Sequence, residues 1–301
     1  MEVITEIGKK MADNYVATVG VFDGVHAGHR YLIDSVCLIA KNEGLKPMVI
    51  TFAEHPASLL GHSVPLQLLT LEEKLARLGE TGADVCVVLP FSREMAGLTA
   101  GDFMRRILRD ALGVKVLVMG YDHKFGCEQE NSFAFYQKEG RACGLEVVRA
   151  EQYGSISSSC IRQCLQQGRL GEANRMLGYA YSFSGTVIEG DKRGRSLGFP
   201  TANLCVDAHK QLPGRGVYTV RVIWNGTPYK GMMNIGSSPT FLTGGIRPPE
   251  VHILSFDENI YGEKLLVEPV KFIRDEKTFT YINELVSQLR KDAAEANTIN
   301  L

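Results

Sequence analysis

His26 and His29 close the stretch GVFDGVHAGH, Gly20 to His29, and their spacing of three residues puts two ring donors on one side of a helix beginning there. Gly24 and Gly28 leave the backbone open to close approach by a ligand. The first N–H groups of a helix lack partners of their own, and together with the positive end of the helix dipole they attract an anion. Two imidazoles beside such amides suit a polyphosphate. A zinc site fits less well, because no third and fourth ligand stands nearby at a recognisable spacing. A histidine pair standing alone is commonly structural. This one sits in a glycine turn directly after the apolar run Tyr15 to Val19, and the end of a buried strand is where an open α/β sheet takes its ligands.

A second group lies in PTAN, Pro200 to Asn203. Pro200 stiffens the backbone ahead of a hydroxyl and an amide oxygen, and Thr201 and Asn203, as alternate strand residues, face the same side. Hard oxygen ligands on one face suit Mg²⁺ carried by a nucleotide. The preceding GDKRGRSLGF, with Gly194 and Gly198, is a flexible basic loop; such loops are commonly solvated turns and less often lids over phosphate.

These groups need elements to hold them. Short apolar runs at Val16 to Val19, Pro47 to Phe52, Val85 to Leu89, Val114 to Met119 and Glu146 to Ala150 read as strands. Helical periodicity occupies residues 29–42, 71–80, 99–111, 130–142 and 159–167, with a further short helix in Gly168 to Gly178. Alternation of this kind predicts a Rossmann-like domain, a parallel sheet covered on both faces. From Tyr181 to Ile273 the period changes to two, with glycine and proline punctuation and no clear helix, which predicts an antiparallel sheet or small barrel. Asn283 to Ala296 places Leu285, Val286, Leu289 and Ala293 on one face, so a terminal helix should pack on the barrel. The expected domains are residues 1–180 and 181–301.

Composition narrows the partners. At 301 residues two domains are the default, and a 45% apolar fraction can fill both cores. Lys and Arg number 33 against 34 Asp and Glu, so no basic field points to nucleic acid, and small molecules are the expected partners. Seven scattered cysteines without a CxxC pair argue against a disulfide framework and for a reducing compartment. Met1 to Lys10 lacks the apolar core of a signal peptide and no run is long enough to span a membrane, so a soluble cytoplasmic protein is expected.

The string GxFDGxHxGH resembles the (H/T)xGH signature of the nucleotidyltransferases, in the form found in the FMN adenylyltransferase branch of bacterial bifunctional riboflavin kinase/FAD synthetases. TFAEHPASLL, Thr51 to Leu60, is similar to that family's TFxPHP, with Glu54 in place of proline. LLTLEEKLARLGETGAD resembles its helix and turn before the third strand. GYDHKFG, Gly120 to Gly126, resembles GxDFxFG with His123 for a common Phe, and ISSSCIR, Ile156 to Arg162, resembles SSTxIR with Ser159 for Thr. In the second half, GRSLGFPTAN resembles the riboflavin kinase signature GRxLGFPTAN. GVYTVRV, GMMNIGSSPTF, EVHIL and YGEKLLVEPVKFIRDEKTF follow in the family's order, with Ser255 where Asp or Asn is common.

The resemblance implies an amino-terminal domain that adenylylates FMN to FAD and a carboxyl-terminal barrel that phosphorylates riboflavin to FMN. The expected partners are therefore ATP, riboflavin, FMN, FAD and pyrophosphate, with Mg²⁺ accompanying ATP. It implies that Gly20, Phe22, Asp23, Gly24, His26 and His29 meet the ATP phosphates, and that Ser158, Ser159 and Arg162 hold the pyrophosphate end. His55, Asp122 and Phe125 fall on the FMN or nucleotide side. In the kinase, Gly194, Gly198, Thr201 and Asn203 would bind ATP, with Thr201 and Asn203 also on the metal. Glu250 would accept the proton of the attacking alcohol, and Arg274 would touch flavin or phosphate, an ion pair being the alternative. A cytidylyltransferase or pantetheine-phosphate adenylyltransferase could share the first fold but needs no PTAN barrel. A flavin-binding regulator built on a decayed enzyme is a further reading, against which the intact His26, His29, Thr201, Asn203 and Glu250 weigh.

Overall fold

Strands β1 (Glu2–Ile4), β2 (Tyr15–Val19), β3 (Lys46–Phe52), β4 (Val85–Leu89), β5 (Val114–Met119) and β6 (Glu146–Arg149) form one parallel sheet in the order β1-β4-β3-β2-β5-β6. Every residue of β2 and β4 is buried, as a strand covered on both faces requires. From β2 the chain moves outward through β3 to β4, then returns to place β5 on the other side of β2. The order therefore reverses between β2 and β5, which opens a crevice at their carboxyl ends. β1 was not expected from the sequence. It is a mostly exposed edge strand of three residues, too short to show a period.

The computed structural model describes residues 1–6, 11, 13–54, 56–58, 65–121, 123–190, 193–236 and 248–301. Its contacts divide into two units, Met1–Pro65 with Leu69–Ser157, and Leu66–Leu68 with Ser158–Leu301. In the first, α1 (Ala27–Glu43), α2 (Leu71–Gly79), α3 (Arg93–Ala96), α4 (Ala100–Asp102) and α5 (Phe133–Ala142) accompany the sheet. The helix expected over 99–111 forms, but from Phe103 to Ala111 it is wound as a π-helix. Two apolar clusters fill the unit: Ala17, Ile50, Met104 and Leu117 belong to one, and Val16, Ile33, Val49 and Val118 to the other. Neighbouring strand residues divide between them as the pleat dictates.

The second unit contains α6 (Ser158–Gln166), α7 (Leu170–Leu177), β7 (Phe183–Ile188), α8 (Arg193–Ser196), β8 (Ala202–Val206), β9 (Gly216–Trp224), β10 (Thr227–Ile235), β11 (Glu250–Ile253), β12 (Lys264–Arg274) and α9 (Ile282–Asn297). Its strands close an antiparallel barrel, β10-β11-β8-β7-β12-β9. Asn225 and Gly226, both at positive φ (49° and 77°), make the two-residue turn joining β9 to β10. Pro269 lies beside a register shift in β12, where a missing donor is tolerated. The one-turn α8 interrupts a stretch expected to carry no helix.

Helices α6 and α7 were grouped by periodicity with the first half, yet their contacts are with the barrel. A Cβ on Gly214 would stand 2.0 Å from the Gln166 carbonyl oxygen, and one on Gly168 3.3 Å from the Phe272 ring. The Tyr181 N–H donates to Asn174 Oδ1 at 2.8 Å. Leu66–Leu68 also belongs here: the Gln67 N–H donates to His209 O at 2.6 Å, the Gln211 N–H to Gln67 O at 2.7 Å, and Lys210 Nζ to Leu68 O at 2.7 Å.

Candidate active sites

The turn after β2 is tightly determined. Phe22 and Val25 hold positive φ (52° and 35°), a conformation that side-chain-bearing residues seldom adopt, with Gly24 between them at 85°. Strain of this kind persists where the surroundings over-determine it, and it gathers at functional loops. Here Val25 is fully buried, and a Cβ on Gly20 would come within 3.1 Å of the Phe22 ring. His26 is the N-cap of α1, its Nδ1 accepting the His29 N–H at 3.3 Å, which puts the proton of the neutral ring on Nε2. The two rings stack 3.6 Å apart, and Phe22 meets His29 edge-on at 5.2 Å. His29 Nδ1 is buried and makes no hydrogen bond within the described residues. Burial first, then His26 and Lys74, hold the His29 pKa well below the ordinary 6.5.

Gly20, Phe22, Gly24, His26 and His29 are thus gathered at the carboxyl end of β2, beside the reversal point of the sheet. Asp23 turns elsewhere, its Oδ1 accepting the Leu69 N–H at 3.3 Å just ahead of α2. Phe125 stacks on Tyr136 at 4.8 Å, and the Tyr136 hydroxyl both accepts from the Phe125 N–H and donates to its carbonyl. His55 and Asp122 lie outside the described residues. Ser158 and Ser159 open α6 in the second unit, where Arg162 Nη2 donates to Ser159 Oγ at 3.3 Å.

In the barrel, Glu250 pairs with Asn203 of β8 on one side and Asn234 of β10 on the other. Directly paired residues project to the same face, so three oxygen-bearing side chains form a row across three strands. Asn234 Oδ1 is buried without a hydrogen-bond partner among the described residues, and a Cβ on Gly190 would lie 2.1 Å from the Asn203 amide. Hard oxygens, one of them orphaned, fit a divalent cation carrying phosphate. Thr201 lines a cavity of about 370 Å³ together with Arg195, Pro200, Phe256, Asn259 and Tyr261, whose lining includes neither Asn203 nor Glu250. Thr201, two residues before Asn203, thus borders this cavity.

His252 Nδ1 donates to the Pro200 carbonyl at 2.7 Å and its ring meets Phe199 edge-on, which ties the start of PTAN to β11. In the loop before it, Gly194 is required: a Cβ there would stand 2.2 Å from the Phe199 carbonyl oxygen. Gly198 turns the chain at φ 81°. Arg274 is committed to α9. Its Nη2 donates to Asp292 Oδ2 at 2.7 Å, its Nε to both carboxylate oxygens, and its Nη1 to the Asp275 carbonyl.

Residues 8–163 match the FAD synthetase family and residues 177–300 the riboflavin kinase family. The chain is 36% identical to the bifunctional riboflavin kinase/FMN adenylyltransferase of Escherichia coli K12, over 97% of this chain and 95% of that one. The chain belongs to the bifunctional riboflavin kinase/FMN adenylyltransferase family. The Bacillus subtilis 168 member is 38% identical over 93% of this chain and 91% of its own. A crystal structure described as a macrolide-efflux protein from Streptococcus pneumoniae shares the fold throughout, with a TM-score of 0.88, 31% identity and full coverage of both chains. Among the described residues of the present chain no helix is long and apolar enough to cross a membrane.

Within this member of the family, sequence reasoning passed over three residues beside the candidate sites. Lys74 is buried, and its Nζ donates to Val21 O, Thr51 Oγ1 and Phe52 O. Its neighbours are far apart in sequence, so only its place in the quoted LLTLEEKLARLGETGAD segment could have drawn attention to it. Asn234 and His252 stood in quoted motifs as well, and strand register is what joins the first to Glu250.

Proposed function

We propose that the first half of the chain transfers the adenylyl group of ATP to FMN, that the barrel phosphorylates riboflavin, and that the functional domains meet near residue 180. The stacked His26–His29 pair, with a buried His29 Nδ1 that has no hydrogen-bond partner among the described residues, carries the adenylyltransferase reading. In that reaction an FMN phosphate oxygen attacks the α-phosphorus of ATP, the bond to the β-phosphate oxygen breaks, and pyrophosphate leaves. The attacking oxygen is already anionic, so the protein contributes alignment and charge stabilisation without a nucleophile of its own. A neutral His29 ring donates one N–H to a phosphate oxygen, the His26 Nε2–H provides a second donor, and Gly24 and Gly28 keep the backbone low. Ser158, Ser159 and Arg162 receive the pyrophosphate end, and His55, Asp122 and Phe125 the FMN side.

In the kinase the riboflavin primary hydroxyl attacks the γ-phosphorus, its proton passes to Glu250, and ADP leaves. Gly194 and Gly198 let the loop close over phosphate. Mg²⁺ brought with ATP would be held by Thr201 and Asn203, with Asn234 and Glu250 beside them, and would offset charge between the phosphates. Arg274 acts on the flavin side through the α9 anchor described above. A cytoplasmic setting belongs to the same proposal, since ATP is drawn from there and the cysteines show no disulfide spacing.

The test is to incubate the protein with riboflavin, ATP and Mg²⁺ and separate the flavins by chromatography. FMN followed by FAD is expected, and His29→Ala should abolish FAD while sparing FMN. Equal loss of both products from a folded His29→Ala protein would overturn the division, and bound, unchanged riboflavin would favour a regulator.

A further inference from the structure

Lys74 is a lysine where an amphipathic helix would ordinarily put a leucine. It lies on the first turn of α2, 7% exposed, with its side chain directed into the unit. Its ammonium has three N–H bonds and three acceptors: Val21 O at 3.2 Å, Thr51 Oγ1 at 3.1 Å and Phe52 O at 3.1 Å. The Thr51 hydroxyl spends its own proton on Val21 O at 3.2 Å, so it can only accept from Lys74. All three contacts are donations. A neutral amine would turn a lone pair toward one of these oxygens, so the geometry is that of the charged form. Burial lowers the lysine pKa, and the Asp23 carboxylate offsets only part of that shift.

These acceptors sit at the carboxyl ends of two neighbouring strands. Phe52 ends β3, and Val21 is the second residue beyond β2. With the Val21 carbonyl gripped by both Lys74 and Thr51, the peptide leading into Phe22 is fixed, and Phe22 is where the chain turns to positive φ. The Phe22 ring then abuts His29 edge-on. A path of direct contacts thus runs from the ammonium through the loop backbone to the ring whose Nδ1 has no hydrogen-bond partner among the described residues. α2 is itself held in place, by the Thr70–Glu73 capping box and by the bond from Leu69 to Asp23.

We propose that Lys74 is a positioning residue of the adenylyltransferase site: its three hydrogen bonds fix the Val21–Phe22 turn that seats His29, and its charge adds to the field that attracts polyphosphate. The proposal rests on the reading of His26 and His29 given above. It separates Lys74 from a merely structural lysine by what its loss does to His29. Burial and then His26 do most to keep the His29 imidazole neutral, and Lys74 adds to them, so removing the cation should raise the His29 pKa in part.

The experiment uses the full chain with Lys74→Met, which keeps length and apolar bulk. Misplacing a substrate-contacting group by about 1 Å can cost about 100-fold, so kcat/KM for ATP in FAD synthesis should fall about 10- to 100-fold. FMN synthesis should stay within about twofold, because the acceptors that Lys74 binds all belong to the first unit. In the ligand-free protein the His29 ring resonance, assigned by its disappearance in His29→Ala, should titrate at higher pH in Lys74→Met than in the parent. Normal FAD synthesis by folded Lys74→Met overturns the proposal. So does lost FAD synthesis with an unmoved His29 titration, which marks a structural role. If Lys74→Met does not fold, Thr51→Val decides: it removes one acceptor and the second grip on Val21, and should lower kcat/KM for ATP roughly three- to tenfold. An unaffected Thr51→Val would then overturn it. His29→Ala run in parallel keeps the two readings apart, because FAD synthesis surviving in that variant sinks the site assignment, whereas its loss beside a normal Lys74→Met sinks only the role of Lys74.

Discussion

Removing the charge of Asp292 should uncouple α9 from the barrel. Asp292 is 1% exposed and Arg274, its partner at the end of β12, 14%. The guanidinium reaches both carboxylate oxygens, Gln288 donates a further bond to Oδ1 at 2.8 Å, and Arg274 Nη1 reaches the Asp275 carbonyl. Asp292→Asn keeps the shape but leaves a buried guanidinium without its counter-charge. Loss of one member of a buried pair costs about 3–5 kcal/mol, where an exposed pair would cost under about 1 kcal/mol. Against a typical total of about 5–15 kcal/mol this is a large share, and it corresponds to a fall in Tm of about 6–20 °C for a unit of this size. The only tryptophan, Trp224, lies in β9 and packs edge-on against Phe256, so its fluorescence in urea reports the unfolding of the barrel unit. Arg274→Met alone should cost less, and the Asp292→Asn/Arg274→Met pair less than the sum of the two. A shift in Asp292→Asn worth less than about 1 kcal/mol would refute the reasoning. Riboflavin kinetics then discriminate: a raised riboflavin KM in Arg274→Met with stability intact would mean direct flavin contact, whereas parallel losses in both variants would mean action through the α9 anchor.

Glu250→Gln should lower riboflavin phosphorylation by about 10² to 10⁴ while riboflavin binding persists, and added FMN should restore FAD formation; an unchanged kinase rate would place the base elsewhere. Because the folded His29 pKa lies below that of the unfolded chain, the unfolded state takes up a proton first on acidification. The stability contributed by neutral His29 is therefore present above about pH 6.5 and is lost as pH falls toward the folded pKa. Urea midpoints followed by circular dichroism should fall on acidification, less steeply in His29→Gln, and identical slopes would refute this. A fragment starting at Ser158 should unfold at higher urea than one starting at Tyr181, because the shorter one lacks the Gly168 contact with Phe272 and the Asn174 bond to Tyr181. Equal midpoints by Trp224 fluorescence would show that α6 and α7 lend the barrel nothing.

What was legible in the sequence is what depends on neighbours along the chain. The apolar run Tyr15 to Val19 followed by a glycine turn announces a buried strand and an anion-binding helix start, and the structure differs only in beginning α1 at Ala27 with His26 as its cap. The change of period near residue 180 likewise marks the barrel, though not which unit claims α6 and α7, because periodicity identifies a helix without naming its partner. The segment 99–111 reads as a helix, but its π winding cannot be told from side-chain spacing alone. Lys74 was hidden for a related reason: a charge on an amphipathic helix reads as solvated, and the oxygens that bury it come from residues 21, 51 and 52. The Asn203–Glu250–Asn234 row needs the register of three strands, and the cavity that Thr201 borders needs the residues after β11, among them Phe256 and Asn259.

The two chemistries ask for opposite electrostatics, and the residues differ accordingly. An attacking phosphate needs no base; it needs its negative charge tolerated beside a triphosphate. The histidine loop supplies a helix terminus, two rings and a buried ammonium, while its one carboxylate, Asp23, is turned to the Leu69 N–H. An attacking alcohol has a proton to lose, and there a carboxylate stands between two amide side chains on paired strands. In the proposed roles Glu250 serves riboflavin phosphorylation as a base, whereas FMN adenylylation has no step that consumes one. The two activities should therefore respond to different substitutions. Adenylylation should fall in Lys74→Met but not in Glu250→Gln, and loss of both activities to either change would mean that one group governs both reactions.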